Sequence, residues 1–556
     1  MFSSARRRPL SRLAVCAAAF ALSVTGLATV TAVPATAAPA PAKPRADVDG
    51  DDSPDYFRRS HNGSSTWWSN KTLAWQDYRF HGEPQTRPKD VIPLGHVRGD
   101  WRPEWLQLSH DGRLSLHTAT TTGTQAPSWT GSGWQIYNRV TATTDLTGDG
   151  RPDVVARTFS GDLYLYRATG SATGEPFAGR VRIGPGWQIY DQLLGAGDLD
   201  RDGKGDLLAR SRDGKLYYYQ GTGSAAAPFK TRKLVGGGWN IYSKIFAEGN
   251  RDWRGAQDDI VGIDARTARP YEYGSKGYGV FFPREEWHEN WWDADLVVGQ
   301  GTTPVYGKAG ITGVDAEGRL WSHYNRSDGF WGTYGYGGGT EPIPFPRDAR
   351  LVVATGVDAT GQATAYAFRN GTLTHVTRKT NVPGDFSATN LVVGPGDLTG
   401  DGKGDLLTRD TSGKLWLRAG RGDGLGFNAP TAVGTGWGTY TAVAGGGDIT
   451  GDGRPDLVSR DGSGNLHLYP GTGSAAQPFG ARQLVGGGWN GYNAIAVTGD
   501  QNGDGRADLV ARDSSGTMWV YRGTGGSGSA AFAARQSLGK GWNTYGDAWP
   551  SYTQVG

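Results

Sequence analysis

One acidic pattern recurs through this chain, and no other feature limits its fold as much. Asp145 opens DLTGDGRPDVVAR, Asp198 opens DLDRDGKGDLLAR, Asp397 opens DLTGDGKGDLLTR, Asp448 opens DITGDGRPDLVSR and Asp500 opens DQNGDGRADLVAR. A less regular copy, DVDGDDSPDYFRR, begins at Asp47, and clean neighbours are spaced by 51 to 53 residues. A second marker, Gly-Trp-x-x-Tyr, places its tryptophan eleven residues ahead of most acidic motifs. It occurs at Trp134/Tyr137, Trp187/Tyr190, Trp239/Tyr242, Trp437/Tyr440, Trp489/Tyr492 and Trp542/Tyr545. Eroded copies fill the gaps: HVRGDWRPEWLQL from His96, NRDWRGAQDDIVGI from Asn250, and remnants in GVDAEGRLWSHY and VDATGQATAYAF. The array comes to about ten units from residue 47 to the C-terminus. A chain of this kind folds unit upon unit.

Within one unit the pattern is all strand. Val154-Val155-Ala156 is an apolar run, Ser160-Gly161-Asp162 a turn, and Leu163-Tyr164-Leu165-Tyr166 a second run of β-formers. The 89 glycines follow no G-x-y period, which excludes collagen and fits a chain dense in tight turns. Four short strands in a unit of some 50 residues predict an all-β chain of four-stranded propeller blades, each buried only against its neighbours. A β-helix needs a much shorter period. Propellers hold about 4–8 blades, so two rings are expected, over 47–300 and 301–556. Five plus five fits, and three plus seven is the alternative. Strand exchange between chain ends would close a ring, with Tyr545-Gly-Asp-Ala-Trp549 in the slot of the strand before an acidic motif.

The apolar stretch Leu13 to Val33 follows Arg6, Arg7, Arg8 and Arg12 and precedes Ala35-Thr36-Ala37. That is the form of a secretory signal peptide over residues 1–37, with a Pro/Ala linker over 38–46. No later segment is apolar enough to span a bilayer. Four arginines leave with the leader and no acidic residue does, so a net charge of +3 becomes −1. No electrostatic case for a nucleic-acid partner survives that change. Cys16, the one cysteine, is lost as well, leaving an extracellular protein without disulfides or thiolate sites.

The pattern D-x-[T/D/N]-x-D-G-x-x-D puts oxygen side chains at positions one, three, five and nine. A hard divalent cation takes six or more oxygens at about 2.3–2.6 Å, which suits calcium in a tight loop. An EF-hand would finish with a glutamate at position twelve inside a helix. Here those positions are Ala156, Ala209, Thr408, Ser459 and Ala511, all in strand-like runs. On these motifs the chain resembles the FG-GAP or VCBS repeat family, the calcium-loop propellers best known from the integrin α-subunit head. The resemblance implies Ca2+ ligands Asp145, Asp149 and Asp153 in one loop and Asp198, Asp200, Asp202 and Asp206 in the next. It implies Asp397, Asp401 and Asp405, then Asp448, Asp452 and Asp456, and finally Asp500, Asn502, Asp504 and Asp508. The first copy offers Asp47, Asp49, Asp51 and Asp55, with Asp52 in the glycine place. Thr147, Thr399 and Thr450 replace the third carboxylate, so weaker or more hydrated sites are expected there. Several structural ions would brace a secreted protein that has no disulfides.

The expected role is a non-catalytic extracellular recognition module for a glycan or cell-surface partner. Twenty-one tryptophans and 24 tyrosines supply flat faces for sugar stacking, although the Gly-Trp-x-x-Tyr tryptophan reads first as a structural wedge between blades, because aromatics usually go to the core. The alternative is a secreted polysaccharide lyase or hydrolase. Its acid–base groups would come from Tyr271 to Trp292, which carries Glu285, Glu286, His288 and Glu289. The chain has no G-x-S-x-G elbow and no H-E-x-x-H pair.

Overall fold

Short strands form where brief runs of apolar and β-forming residues are ended by glycine turns. In Asp153–Thr158, Val154 packs toward one neighbouring sheet and Val155 toward the other. Leu207 and Leu208, Leu406 and Leu407, Leu457 and Val458, and Leu509 and Val510 divide in the same way. A strand buried on both faces lies between two other sheets, as propeller blades require. The structure, a computed structural model, describes residues 44–540 and 552–555 apart from 61–62, 84, 98–101, 172–173, 251–257, 288, 292–293, 300–309, 326–330, 336–340 and 503. The described residues fall in one unit, Pro41–Gly556.

Among the described residues there is no α-helix, and ten antiparallel sheets of four or five strands follow one another. The first five have their second strands at Tyr56–Ser60, Glu104–Leu108, Asp153–Thr158, Leu207–Ser211 and Asp259–Asp264. The next five have theirs at Gly310–Asp315, Thr364–Arg369, Asp405–Asp410, Asp456–Asp461 and Asp508–Asp513. Buried clusters join each sheet to the next, and they close into two cycles of five. Tyr56 and Val297 meet Phe246, Val261 and Ile263, linking the fifth sheet to the first. Ile311 meets Ala496, Val510 and Met518, linking the tenth to the sixth. Among the described residues the blades form an all-β double propeller with five blades in each ring.

Each ring is closed by a strand from far along the chain. Ala294–Val297 pairs with Tyr56–Ser60 and supplies the inner edge of the first blade. Tyr552–Val555 pairs with Gly310–Asp315 and does the same for the sixth. Strand exchange therefore occurs, but the closing strand begins after Tyr545 to Trp549, which lie outside the described residues. Gln554 locks it by donating to Ala349 O at 2.7 Å and accepting from Leu351 N at 2.6 Å. In the first ring the buried Arg45 donates to Ala142 O, Gly195 O and Ala247 O at 2.6–2.7 Å. One side chain thus ties three successive inner strands where they converge.

The Gly-Trp-x-x-Tyr marker is a joint between blades. Gly133 has φ 90°, a left-handed conformation that favours glycine, and starts the 3-10 turn Trp134–Ile136. Trp134, Trp187, Trp239, Trp437 and Trp489 are each only 6–9% exposed. Their rings lie 4.6–4.9 Å from Tyr166, Tyr219, Tyr273, Tyr469 and Tyr521. The arginines ending the first four clean acidic motifs, Arg157, Arg210, Arg409 and Arg460, reach the next joint: Arg409 Nη1 donates to Trp437 O at 3.0 Å and Tyr440 O at 2.8 Å. Arg460 repeats this on Trp489 O and Tyr492 O at 3.0 and 2.7 Å. These tryptophans are core, so sugar stacking does not run through them. Trp542 and Tyr545 lie outside the described residues.

Candidate metal centres

Each clean acidic loop joins the inner strand of a blade to its second strand, and its own aspartates build it. The first-position carboxylate caps the turn, as Gly150 N donates to Asp145 at 2.6 Å and Gly203 N to Asp198 at 2.9 Å. Gly402, Gly453 and Gly505 repeat the bond on Asp397, Asp448 and Asp500 at 2.6–2.8 Å. The ninth-position carboxylate is buried and accepts the N–H of position two. Those donors are Val48 to Asp55, Leu146 to Asp153, Leu199 to Asp206, Leu398 to Asp405 and Ile449 to Asp456, all at 2.8–2.9 Å. Gln501 does the same for Asp508 at 3.1 Å. Asp52, in the glycine place of the first copy, takes φ 62°, which aspartate tolerates better than most residues. The substitution therefore preserves the bend.

Two loops bring three carboxylates within metal-holding reach. One oxygen each of Asp47, Asp49 and Asp55, and of Asp198, Asp200 and Asp206, lie within 4.8 Å of one another. No other such group occurs among the described residues. Positions one, three and nine converge, while position five stands apart from both triads. Asp149, Asp202, Asp401, Asp452 and Asp504 instead accept the N–H of position seven at 2.9–3.0 Å, and Asp51 accepts Ser53 N at 2.9 Å. The side chains of Arg151, Lys204, Arg454 and Arg506 pair with that carboxylate at 3.2–3.6 Å. The loops with Thr147, Thr399 and Thr450 lack a third converging carboxylate, as their composition predicts.

The donor chemistry fits a hard cation. Asp49 Oδ1, Asp55 Oδ1, Asp153 Oδ1 and Asn502 Oδ1 are buried oxygens without a hydrogen-bond partner, and an orphaned buried acceptor is costly unless something positive meets it. Burial first, and neighbouring carboxylates second, push several ninth-position groups far above the ordinary aspartate range. Asp55 rises to about 9, Asp206 and Asp405 to about 8, and Asp153 and Asp456 to about 7. Clustered carboxylates hold protons when no cation balances them. Asp508 rises only to about 6, because the Arg522 guanidinium sits 2.6 Å away and opposes the burial. Arg522 lies outside the acidic motif, so motif reading missed it.

The Asp358-Ala-Thr-Gly361 remnant lies between the inner strand Arg350–Ala354 and Thr364–Arg369, the place of an acidic loop. GVDAEGRLWSHY also belongs to a repeat, the sixth blade, but not to its acidic-loop slot. Its Asp315 sits at the turn after a second strand and accepts Trp321 Nε1 at 2.8 Å, as Asp410 accepts Trp416 at 2.9 Å. The copies at His96 and Asn250 run into 98–101 and 251–257, outside the described residues. So does His288. Glu286 accepts from Arg269 and, at 3.3 Å, from Tyr271 Oη, and Glu289 accepts Trp75 Nε1 at 2.8 Å. These glutamates fasten an edge strand.

Residues 145–209, 397–459 and 448–511 match the FG-GAP-like repeat. No curated protein matches the chain in sequence. Among solved structures, the BP39L lectin from Burkholderia pseudomallei is 12% identical over 81% of this chain and 100% of that one, with a TM-score of 0.23. BBS1N in complex with ARL6DN is 12% identical over 59% of this chain and 91% of that one, with a TM-score of 0.21. The Dos1 propeller is 8% identical over 84% of this chain and 95% of that one, with a TM-score of 0.21.

Proposed function

From a chain that carries FG-GAP-like repeats, we propose a secreted calcium-binding double propeller that acts as a non-catalytic recognition scaffold outside the cell. The observation that carries the metal reading is the pair of converging triads, Asp47/Asp49/Asp55 and Asp198/Asp200/Asp206, together with the orphaned Asp49 Oδ1 and Asp55 Oδ1 within the first. Calcium would supply the positive charge these oxygens lack and bind the folded chain alone. Each site filled at a hundredfold excess over Kd adds about 2.7 kcal/mol of stability. The chain's own residues set the trap: Asp198 and Asp206 each cap backbone N–H groups and are thereby held in place. The leader-like stretch Leu13 to Val33 supports export, and the loss of Cys16 with it leaves ions as the available cross-braces.

Recognition of a glycan or cell-surface component would use the polar loop face of the first ring, where Asp149, Gly150, Arg201 and Asp202 are exposed. Two measurements test the proposal. Metal analysis and thermal melting should show bound calcium and a transition lowered by EDTA; no uptake at millimolar calcium sinks the metal reading. A glycan array and cell-wall pull-down in calcium should show binding lost with EDTA, and silence in both removes the glycan and cell-wall versions.

A further inference from the structure

The two rings do not present their acidic loops alike. Phe159 and Arg212 follow the strands Asp153–Thr158 and Leu207–Ser211, so they lie at the opposite strand ends from Asp153 and Asp206. These far ends of the first ring meet the loop ends of the second. The Arg212 guanidinium donates to Gly451 O and, at 3.4 Å, to Thr450 O, both within the Asp448 loop. Arg454, seventh in that loop, has its guanidinium 5.9 Å from the centre of the Phe159 ring. A Cβ on Gly453 would stand 2.6 Å from Phe159, and one on Gly402, in the Asp397 loop, 3.1 Å from Asp111 and Gln135. Arg87 N donates to Ala359 O at 3.1 Å in the neighbouring eroded loop.

Among the described residues, the Asp145 and Asp198 loops of the first ring have no comparable cover from the second. Gly148 to Arg151 and Arg201 to Gly203 are exposed, whereas Asp397, Asp448 and Gly453 are buried. Resting on the calcium reading above, we propose that the first ring is a lid on the Asp397 and Asp448 metal loops. Ions there leave only when the ring–ring contact opens. Ions in the Asp145 and Asp198 loops exchange directly with solvent. The physical reason is access: an ion departs as water replaces its ligands stepwise, and Arg212, Phe159, Asp111 and Gln135 occupy the approach.

The test is stopped-flow release of calcium from the loaded full chain into an excess of a fluorescent chelator. Two phases are expected, the slower by about tenfold or more, equivalent to an opening free energy of at least about 1.4 kcal/mol. Asp397→Asn and Asp448→Asn should each remove slow amplitude, and Asp198→Asn fast amplitude. Arg212→Ala should speed the slow phase without changing the number of ions bound, and Phe159→Ala gives a second way to loosen the same contact. A single phase overturns the lid, as does a slow phase that survives both Asn variants or is unmoved by both Ala variants. A chain that binds no calcium overturns the metal reading as well, and total ion content separates that failure from the loss of the lid alone.

Discussion

In the Asp198 loop three carboxylates converge and Gln220 donates to one of them; in the Asp500 loop Asn502 replaces one carboxylate and Arg522 reaches Asp508 at 2.6 Å. The described backbone bonds to the first and ninth aspartates are otherwise alike. Gly203 N and Gly505 N cap on Asp198 and Asp500 at 2.9 and 2.7 Å, and Gly221 N and Gly523 N donate to Asp206 and Asp508 at 2.8 and 2.9 Å. Gln220 and Arg522 occupy the same place, immediately before those last donors. The aspartates therefore make the bend in both loops, and what differs is how much positive charge the fold has already supplied. A bend and a cation site are separate properties of one motif.

The largest test removes the first-position carboxylate from each loop. In calcium, Asp198→Ala should destabilise the chain by about 3 kcal/mol more than Asp500→Ala, the linkage worth of one well-filled site. In chelator the two should cost the same, about 1 kcal/mol each for lost caps. Equal costs in calcium would erase the distinction between the loops.

Acidity gives the next. In chelator, folded Asp206 keeps its proton up to about pH 8 and folded Asp508 up to about pH 6, while the unfolded carboxylates release theirs near pH 4. Between those limits the unfolded chain binds fewer protons, so stability falls as pH rises. Melting temperature should therefore drop from about pH 5 to about pH 8, and Asp206→Asn should flatten the upper part of that slope. Calcium should suppress the drop by displacing the proton. A melt that rises over this range would contradict the raised values.

A charge swap is more delicate. Arg522→Gln should strengthen calcium binding by the last loop, and Gln220→Arg should weaken it in the Asp198 loop, each by about tenfold, or about 1.4 kcal/mol. Isothermal titration would resolve both, and unchanged affinities would deny that Arg522 sets the difference. The smallest effect belongs to Lys204→Met, which breaks the partly exposed 3.2 Å pair with Asp202. Its cost in a denaturant melt should stay within about 0.5 kcal/mol.

Much of the fold was legible because its causes are local. Asp-Gly spacing fixes bends, alternation fixes strands, and the recurrence at 51 to 53 residues fixes repetition. The site was legible in part. Positions one, three, five and nine all read as ligands that could converge; the structure brings one, three and nine together in two loops, and position five caps position seven instead. Arg522 and Gln220 stand fourteen residues beyond Asp508 and Asp206; only pairing of the second and third strands brings them back. The arginine that ends a motif carries no signal in the pattern, yet Arg409 and Arg460 hold the next blade's tryptophan turn.

The sequence by itself determined that this chain is a run of acidic bends and short strands, because turns and alternation depend on residues a few positions apart. Tertiary structure alone decided the burial of the repeated tryptophans, the strands that close each ring, the placing of Arg45 and Arg522, and the covering of two loops by the neighbouring ring. Those outcomes depend on groups far apart in the chain, and only packing determines which of them meet.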